Sequence, residues 1–395
     1  MKDKVLILSV FLFLLSCISE FRPDLPAKES DILIVGGGIV GNTTSTIYLG
    51  RNLSLTTGTD KEDYYVEGGI VTLIDSKGNE SSPAVDTGKG VYQLPVGELN
   101  EDTQYGVKII YNGNTYQSEL SIPLYTPPID SLSFLQPVRY GSVDFCVSNH
   151  NPSEEIGYYR WKYEEDWEQV VPYETIVDFD TIRERYKRID PETYRCWHNS
   201  KNNPPTVFST AKLRENTIIN QPVFNVDPTG RFQELYCITV TQQILSRRGY
   251  EYFQNKKELS ENLGGLFSPQ PSMIEGNISC LTDPEKRAIG YIEINLNLVT
   301  EKLFVPQGKI SWRYGEPLFC KEFVPHDTIQ KKLLDSLNIS WGDYYVGHRP
   351  YVDKKGGLTL DSNYIAWGPA KCLDCRLNGG VLEKPEWWPA KPEDE

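Results

Sequence analysis

Histidine is scarce in this chain: 395 residues hold four, His150, His198, His326 and His348, none spaced to share a metal ion with another. Cys372 and Cys375 form a Cys-x-x-Cys without the second pair that a four-ligand zinc site needs, so no metal is expected and the histidines read as surface or loop residues. Gly-x-Ser-x-Gly, His-Glu-x-x-His and the phosphate-binding Gly-x-x-x-x-Gly-Lys-Ser/Thr are all missing. Those absences remove the familiar serine-hydrolase, zinc-protease and nucleotide-hydrolase chemistries, and a non-enzymatic protein without a cofactor is expected. Positive charge is in deficit as well, with a formal net charge of -14. A nucleic-acid partner demands a basic face, so none is expected, and the acidity reads as a solubility feature. Long apolar runs are lacking, since the stretch Val5 to Leu15 falls short of the ~20 residues of a membrane-crossing helix and nothing later is as apolar.

That short stretch is informative for another reason. Lys2 and Lys4, the apolar run and Leu14-Leu15-Ser16-Cys17 follow the order of an export signal and resemble the lipobox of bacterial lipoproteins. The resemblance implies that residues 1–16 are a signal peptide, that Cys17 is lipidated, and that residues 17–29, with Pro23 and Pro26, form a tether. Ile18, followed by Ser19, stands where an aspartate would suggest inner-membrane retention, so a lipid-anchored outer-membrane protein is expected, on either its periplasmic or its cell-surface face.

Seven cysteines remain, and in an exported protein some should pair. Candidate disulfide residues are Cys196, Cys280, Cys320, Cys372 and Cys375; the pairing of Cys146 and Cys237 is the least defined, and sequence leaves the connectivity open. Gly368-Pro369 and Gly379-Gly380 mark loops around Cys372 and Cys375, which favours a structural disulfide loop over a redox pair.

Asp31 to Gly41, with Gly36, Gly37, Gly38 and Gly41, copies the strand and glycine turn of a dinucleotide-binding fingerprint. A true fingerprint needs a helix directly after the glycines to hold the pyrophosphate. Asn42-Thr43-Thr44-Ser45-Thr46-Ile47-Tyr48 instead alternates like a strand, so a strand, a turn and a second strand are expected.

From residue 30 to residue 128 short alternating segments are separated by turn residues, including Asn112-Gly113, the strongest short hairpin signal. About seven strands suggest an immunoglobulin-like β-sandwich over residues 30–128. Residues 129–395 read as a larger β-rich α+β domain with helices over 246–262, opened by Ser246, and over 327–337, followed by a C-terminal cysteine and tryptophan tail. In Tyr158 to Tyr163, period two sends Tyr159, Trp161 and Tyr163 to a core and Tyr158, Arg160 and Lys162 to the opposite face. Glu164, Glu165, Asp166 and Glu168 read as a solvated acidic face. Trp387 and Trp388, set between Pro385 and Pro389, either clamp the tail to the body or offer a partner contact.

Several phrases together resemble a family of Bacteroidota-type outer-membrane lipoproteins known as a domain of unknown function (DUF4249). They include Tyr158 to Glu164, Asn220-Gln221-Pro222, Tyr250 to Gln254, Gly265 to Pro271, Gly276 to Cys280, and the tail from Cys372 to Arg376 and from Lys384 to Pro389. The resemblance implies an accessory beside a TonB-dependent outer-membrane receptor, acting in nutrient capture or uptake, and supplies no catalytic residues. Two alternatives stand beside it: a surface adhesin or structural envelope protein, and a carboxylate-dependent hydrolase with a deep acidic cleft in the second domain.

Overall fold

The computed structural model describes residues 32–52, 64–152, 155–188, 192–201, 204–262, 276–313 and 365–390, with shorter pieces between residues 320 and 352. The signal peptide, Cys17, the tether, the Gly265 to Pro271 phrase and most of the helix expected over 327–337 lie outside the described residues.

Alternation builds the first sandwich. Along Thr44–Arg51, Ser45, Ile47 and Leu49 turn inward while Thr44 and Tyr48 face solvent, as a half-buried strand requires. This strand lies between Leu33–Gly37 and Val91–Pro95, both antiparallel to it. A facing antiparallel sheet runs Ile70–Asp75, Tyr105–Tyr111, Asn114–Ser118. Asn112 and Gly113 take φ of 50° and 74°, the paired positive values that a two-residue hairpin turn needs. The residues after the glycine cluster are therefore strand, and no helix N-terminus faces the glycines. Gly37, at φ 119°, is required by packing, because a Cβ there would stand 2.4 Å from the Thr46 carbonyl oxygen.

The sandwich is completed from far along the chain. Ala288–Gly290 adds in parallel to the outer edge of Leu33–Gly37, Ile278–Cys280 adds antiparallel to Asn114–Ser118, and Ile294–Asn295 pairs with Ile39–Val40. Ile278, Ile292 and Ile294 join Val35, Ile47 and Val107 in one core. The second sandwich thus leaves the chain of the first after Pro128 and returns to it before residue 278.

That second sandwich is organised by Tyr158–Val170, a strand of 13 residues. One edge pairs with Tyr236–Ile244, which in turn pairs with Val299–Val305. The other edge is divided between Thr206–Ser209, beside residues 158–161, and Arg195–Ser200, beside residues 165–170. A second sheet of Thr217–Val226, Val143–His150 and Ser131–Leu135 closes over it. Tyr159 and Trp161 are fully buried, as alternation predicts, and Phe145 anchors the core with Phe224 at 6.1 Å and Tyr236 at 5.4 Å between ring centroids. Buried Gln242 is tied at both ends of its amide: its oxygen accepts from Trp161 Nε1 and Asn149 Nδ2, and its nitrogen donates to the Pro127 carbonyl at 2.8 Å.

The two sandwiches meet at a polar seam. Thr126 and Asn297 exchange three hydrogen bonds, Asn295 Nδ2 donates to the Ile244 carbonyl, and Gln243 Nε2 donates to Asn295 Oδ1.

Two sequence readings are corrected here. The acidic run is not a solvated face, because Glu165, Asp166 and Glu168 are buried. Arginines from distant segments make this tolerable: Arg231 and the Tyr236 hydroxyl bind Glu165, Arg195 binds Glu168, and Asn199 donates to Asp166 at 2.6 Å. Cys372 and Cys375 do not close a loop on each other. Cys196 pairs with Cys375 and Cys320 with Cys372, which staples the tail to the long sheet, while Cys280 is a free thiol beside the Thr282 hydroxyl.

Candidate functional site

Among the described residues there is one α-helix, Arg247–Asn262, and it positions the site. Ser246 caps it, with its Oγ accepting from the Gly249 amide at 3.0 Å. Tyr250 and Phe253 then lie across the outer face of the long strand: Tyr250 packs on Tyr158 with centroids 5.2 Å apart, and the Arg160 guanidinium stands 4.0 Å above the Phe253 ring. Phe253, Lys256, Lys257 and Ser260 recur at helical spacing and form one wall of a pocket of about 600 Å³. The opposite wall is Pro204, Pro205 and Thr206, where Arg195–Ser200 gives way to Thr206–Ser209 at the sheet edge. Its floor includes Tyr163 stacked on Phe224, with centroids 4.2 Å apart.

The electrostatics of this pocket are one-sided. Among the described residues, Arg160, Lys256 and Lys257 line it and no carboxylate does. Arg160 Nε is buried without a hydrogen-bond acceptor among the described residues, and lost hydration brings the guanidinium down to about 10. Lys162 and Lys256 retain solvent exposure, yet both ammonium groups are lowered, first by lost hydration and then by the Arg160 charge, Lys162 to about 8. The Tyr163 hydroxyl, pushed up to about 12 chiefly by burial, stays neutral. Volume and lining suit a small molecule, since ligand sites span ~300–1,000 Å³ with apolar walls and a few polar groups.

Glu293 sits under the same helix but outside the pocket. Its Oε2 accepts from the Ser246 amide at 3.0 Å and the Ser246 hydroxyl at 3.1 Å. Gly249 permits this approach, because a Cβ there would stand 2.2 Å from Glu293 Oε2. Burial raises the carboxyl to about 7 against the opposing pull of the Ser246 hydrogen bonds and of Arg160.

The tail residues are placed by contacts with the body. Trp388 is buried against Phe304, with centroids 6.0 Å apart, whereas Trp387 keeps 42% of its surface exposed under Lys302, whose Nζ lies 3.4 Å from the ring centroid. Trp388 is thus a clamp and Trp387 an exposed flank. Cys196, Cys320, Cys372 and Cys375 are structural disulfides remote from the pocket lining, and Cys280 borders a shallower groove with Glu119 and Arg248. None of these residues lines the helix pocket. In the sequence alone Tyr163 and Arg160 mark only opposite faces of a strand and no site is read here, although the spacing of Phe253, Lys256, Lys257 and Ser260 marks one face of the predicted helix.

The model of a family described as a domain of unknown function (DUF4249) matches residues 18–296. The chain belongs to this family. The DUF4249 match takes in every strand of the first sandwich, including those that return after residue 278, and the helix pocket; Val299–Val305 and the stapled tail follow it. No curated protein matches the sequence. Among solved structures, a two fibronectin type-III domain segment from chicken tenascin is similar at 11% identity over 55% of this chain and 98% of that one, with a TM-score of 0.14. So low a score carries no argument, and the β-rich architecture of this DUF4249 member rests on its own strand pairing.

Proposed function

We propose that this DUF4249 protein is a non-enzymatic, lipid-anchored outer-membrane binding subunit that associates with a TonB-dependent receptor and captures a small nutrient for uptake. The observation that carries the reading is the helix pocket: about 600 Å³, walled by aromatic and proline rings and bearing cations, it has the build of a ligand site. The lipobox at Cys17 supports anchorage, and the family resemblance supports the receptor. A carboxylate-dependent hydrolase would need a pair of free carboxylates at its cleft. The buried Glu165 and Glu168 are instead tied to Arg231 and Arg195.

The test is affinity purification of the tagged, lipidated protein from gently solubilised outer membranes, followed by mass spectrometry. Recovery of a TonB-dependent receptor in near-equal amount supports the proposal. Recovery of the protein alone refutes the receptor association and moves weight to the adhesin reading.

A further inference from the structure

Arg160 is half-buried: its Nε lies out of reach of solvent with no acceptor among the described residues, and its side chain lines a pocket wide enough for a ligand. Arg160 is held rigidly: Phe253 covers one face of the guanidinium, and the backbone belongs to a central strand paired on both sides. Lys256 adds a second positive charge from the helix, and the two repel each other across the pocket. The groups that favour the Arg160 charge are the Tyr252 phenol and the Glu293 carboxyl, and Glu293 is itself buried and engaged with Ser246, so it offers little compensation. Beyond the charges the lining is flat and apolar, with Phe224, Tyr163, Pro204 and Pro205.

We infer that the pocket binds a small organic acid, its carboxylate held by Arg160 and Lys256 and its flat apolar body laid against Phe224, Tyr163 and the Pro204-Pro205 wall. A carboxylate gives the terminal nitrogens of Arg160 a charge-assisted partner and offsets the repulsion between the two cations. A bare inorganic anion would leave the apolar walls unused, and a neutral molecule would leave the positive charges of Arg160 and Lys256 uncompensated. This deepens the capture proposal by naming a ligand class, and it rests on that proposal only for the acid being the captured nutrient.

The experiment uses the full lipidated protein in non-ionic detergent and isothermal titration with 2-naphthoate, its neutral counterpart 2-naphthamide, and inorganic phosphate. Naphthoate is expected to bind at least roughly ten-fold more tightly than the amide, the worth of one charge-assisted bond set. Detergent takes up the neutral amide at least as readily as the acid, so partition cannot imitate that preference. Lys256→Gln, at an exposed helix position, should weaken naphthoate several-fold and leave the amide unchanged; Arg160→Gln should weaken it further. Equal binding of acid and amide, no binding of either, or an unaltered Lys256→Gln variant would overturn the inference. Phosphate competing as well as naphthoate would overturn the part played by the apolar walls. Receptor co-purification is read independently, so the failure of one proposal leaves the other standing.

Discussion

Replacing Glu293 with glutamine should become more favourable to stability, relative to the wild type, as the pH rises from acid to alkaline. The carboxyl is buried and its pKa rises from the ordinary 4.5 to about 7, so the folded protein holds the proton more tightly than the unfolded chain does. The stabilisation from that proton is complete below about 4.5 and is lost as the pH rises through 7. Between those limits the native state gives up about 3 kcal/mol, at 1.36 kcal/mol per pKa unit. Glutamine keeps an oxygen to accept from the Ser246 amide and hydroxyl and has no proton to lose, so Glu293→Gln should gain about 3 kcal/mol on the wild type between pH 4.5 and pH 8. Urea unfolding followed at 222 nm, where the helix capped by Ser246 contributes, measures the difference at each pH. Subtracting variant from wild type cancels every other titrating group. A difference that stays constant across that range would refute the reasoning, because it would mean that Glu293 does not change protonation on folding.

Three further outcomes are expected. Trp388→Ala should release the end of the tail to proteases, since truncating a buried tryptophan costs about 3–5 kcal/mol, while Trp387→Ala should leave cleavage nearly unchanged; equal cleavage would refute the clamp. Gly37→Ala should lower the thermal midpoint of the first sandwich far more than Gly113→Ala, because both have positive φ but only the first drives a Cβ into backbone, 2.4 Å from the Thr46 oxygen. Iodoacetamide at pH 8 should label Cys280 in the native protein and spare Cys146 and Cys237, whose thiols are buried and pushed up to about 11; comparable labelling of all three would contradict their placement.

Local rules made much of the fold legible. Period two assigned Tyr159 and Trp161 to a core, the Asn112-Gly113 pair fixed a hairpin, the Thr-rich run after Gly41 spoke against a nucleotide helix, and Ser246 opened the helix. What stayed hidden depends on partners remote in sequence. Glu165, Asp166 and Glu168 look like a solvated run until Arg195, Asn199 and Arg231 are brought to them. The Cys372 to Cys375 spacing suggested a local loop, yet their partners are 52 and 179 residues away. The pocket was half legible: one wall follows helical periodicity, but Arg160 and the Pro204-Pro205 wall join it only through the pairing of the long strand.

The return of residues 278–295 to the first sandwich also sets an order of events. A chain emerging from its N-terminus presents Leu33–Gly37 with one edge uncovered until Ala288–Gly290 arrives, and the second sandwich likewise waits for Val299–Val305 to flank Tyr236–Ile244. Both halves therefore mature together, within the passage of about twenty-eight residues between 278 and 305. Until then the open sheet edges of Leu33–Gly37, Asn114–Ser118 and Tyr236–Ile244 must be shielded, and a chain cut short before residue 278 would leave both halves unfinished rather than one complete and one missing.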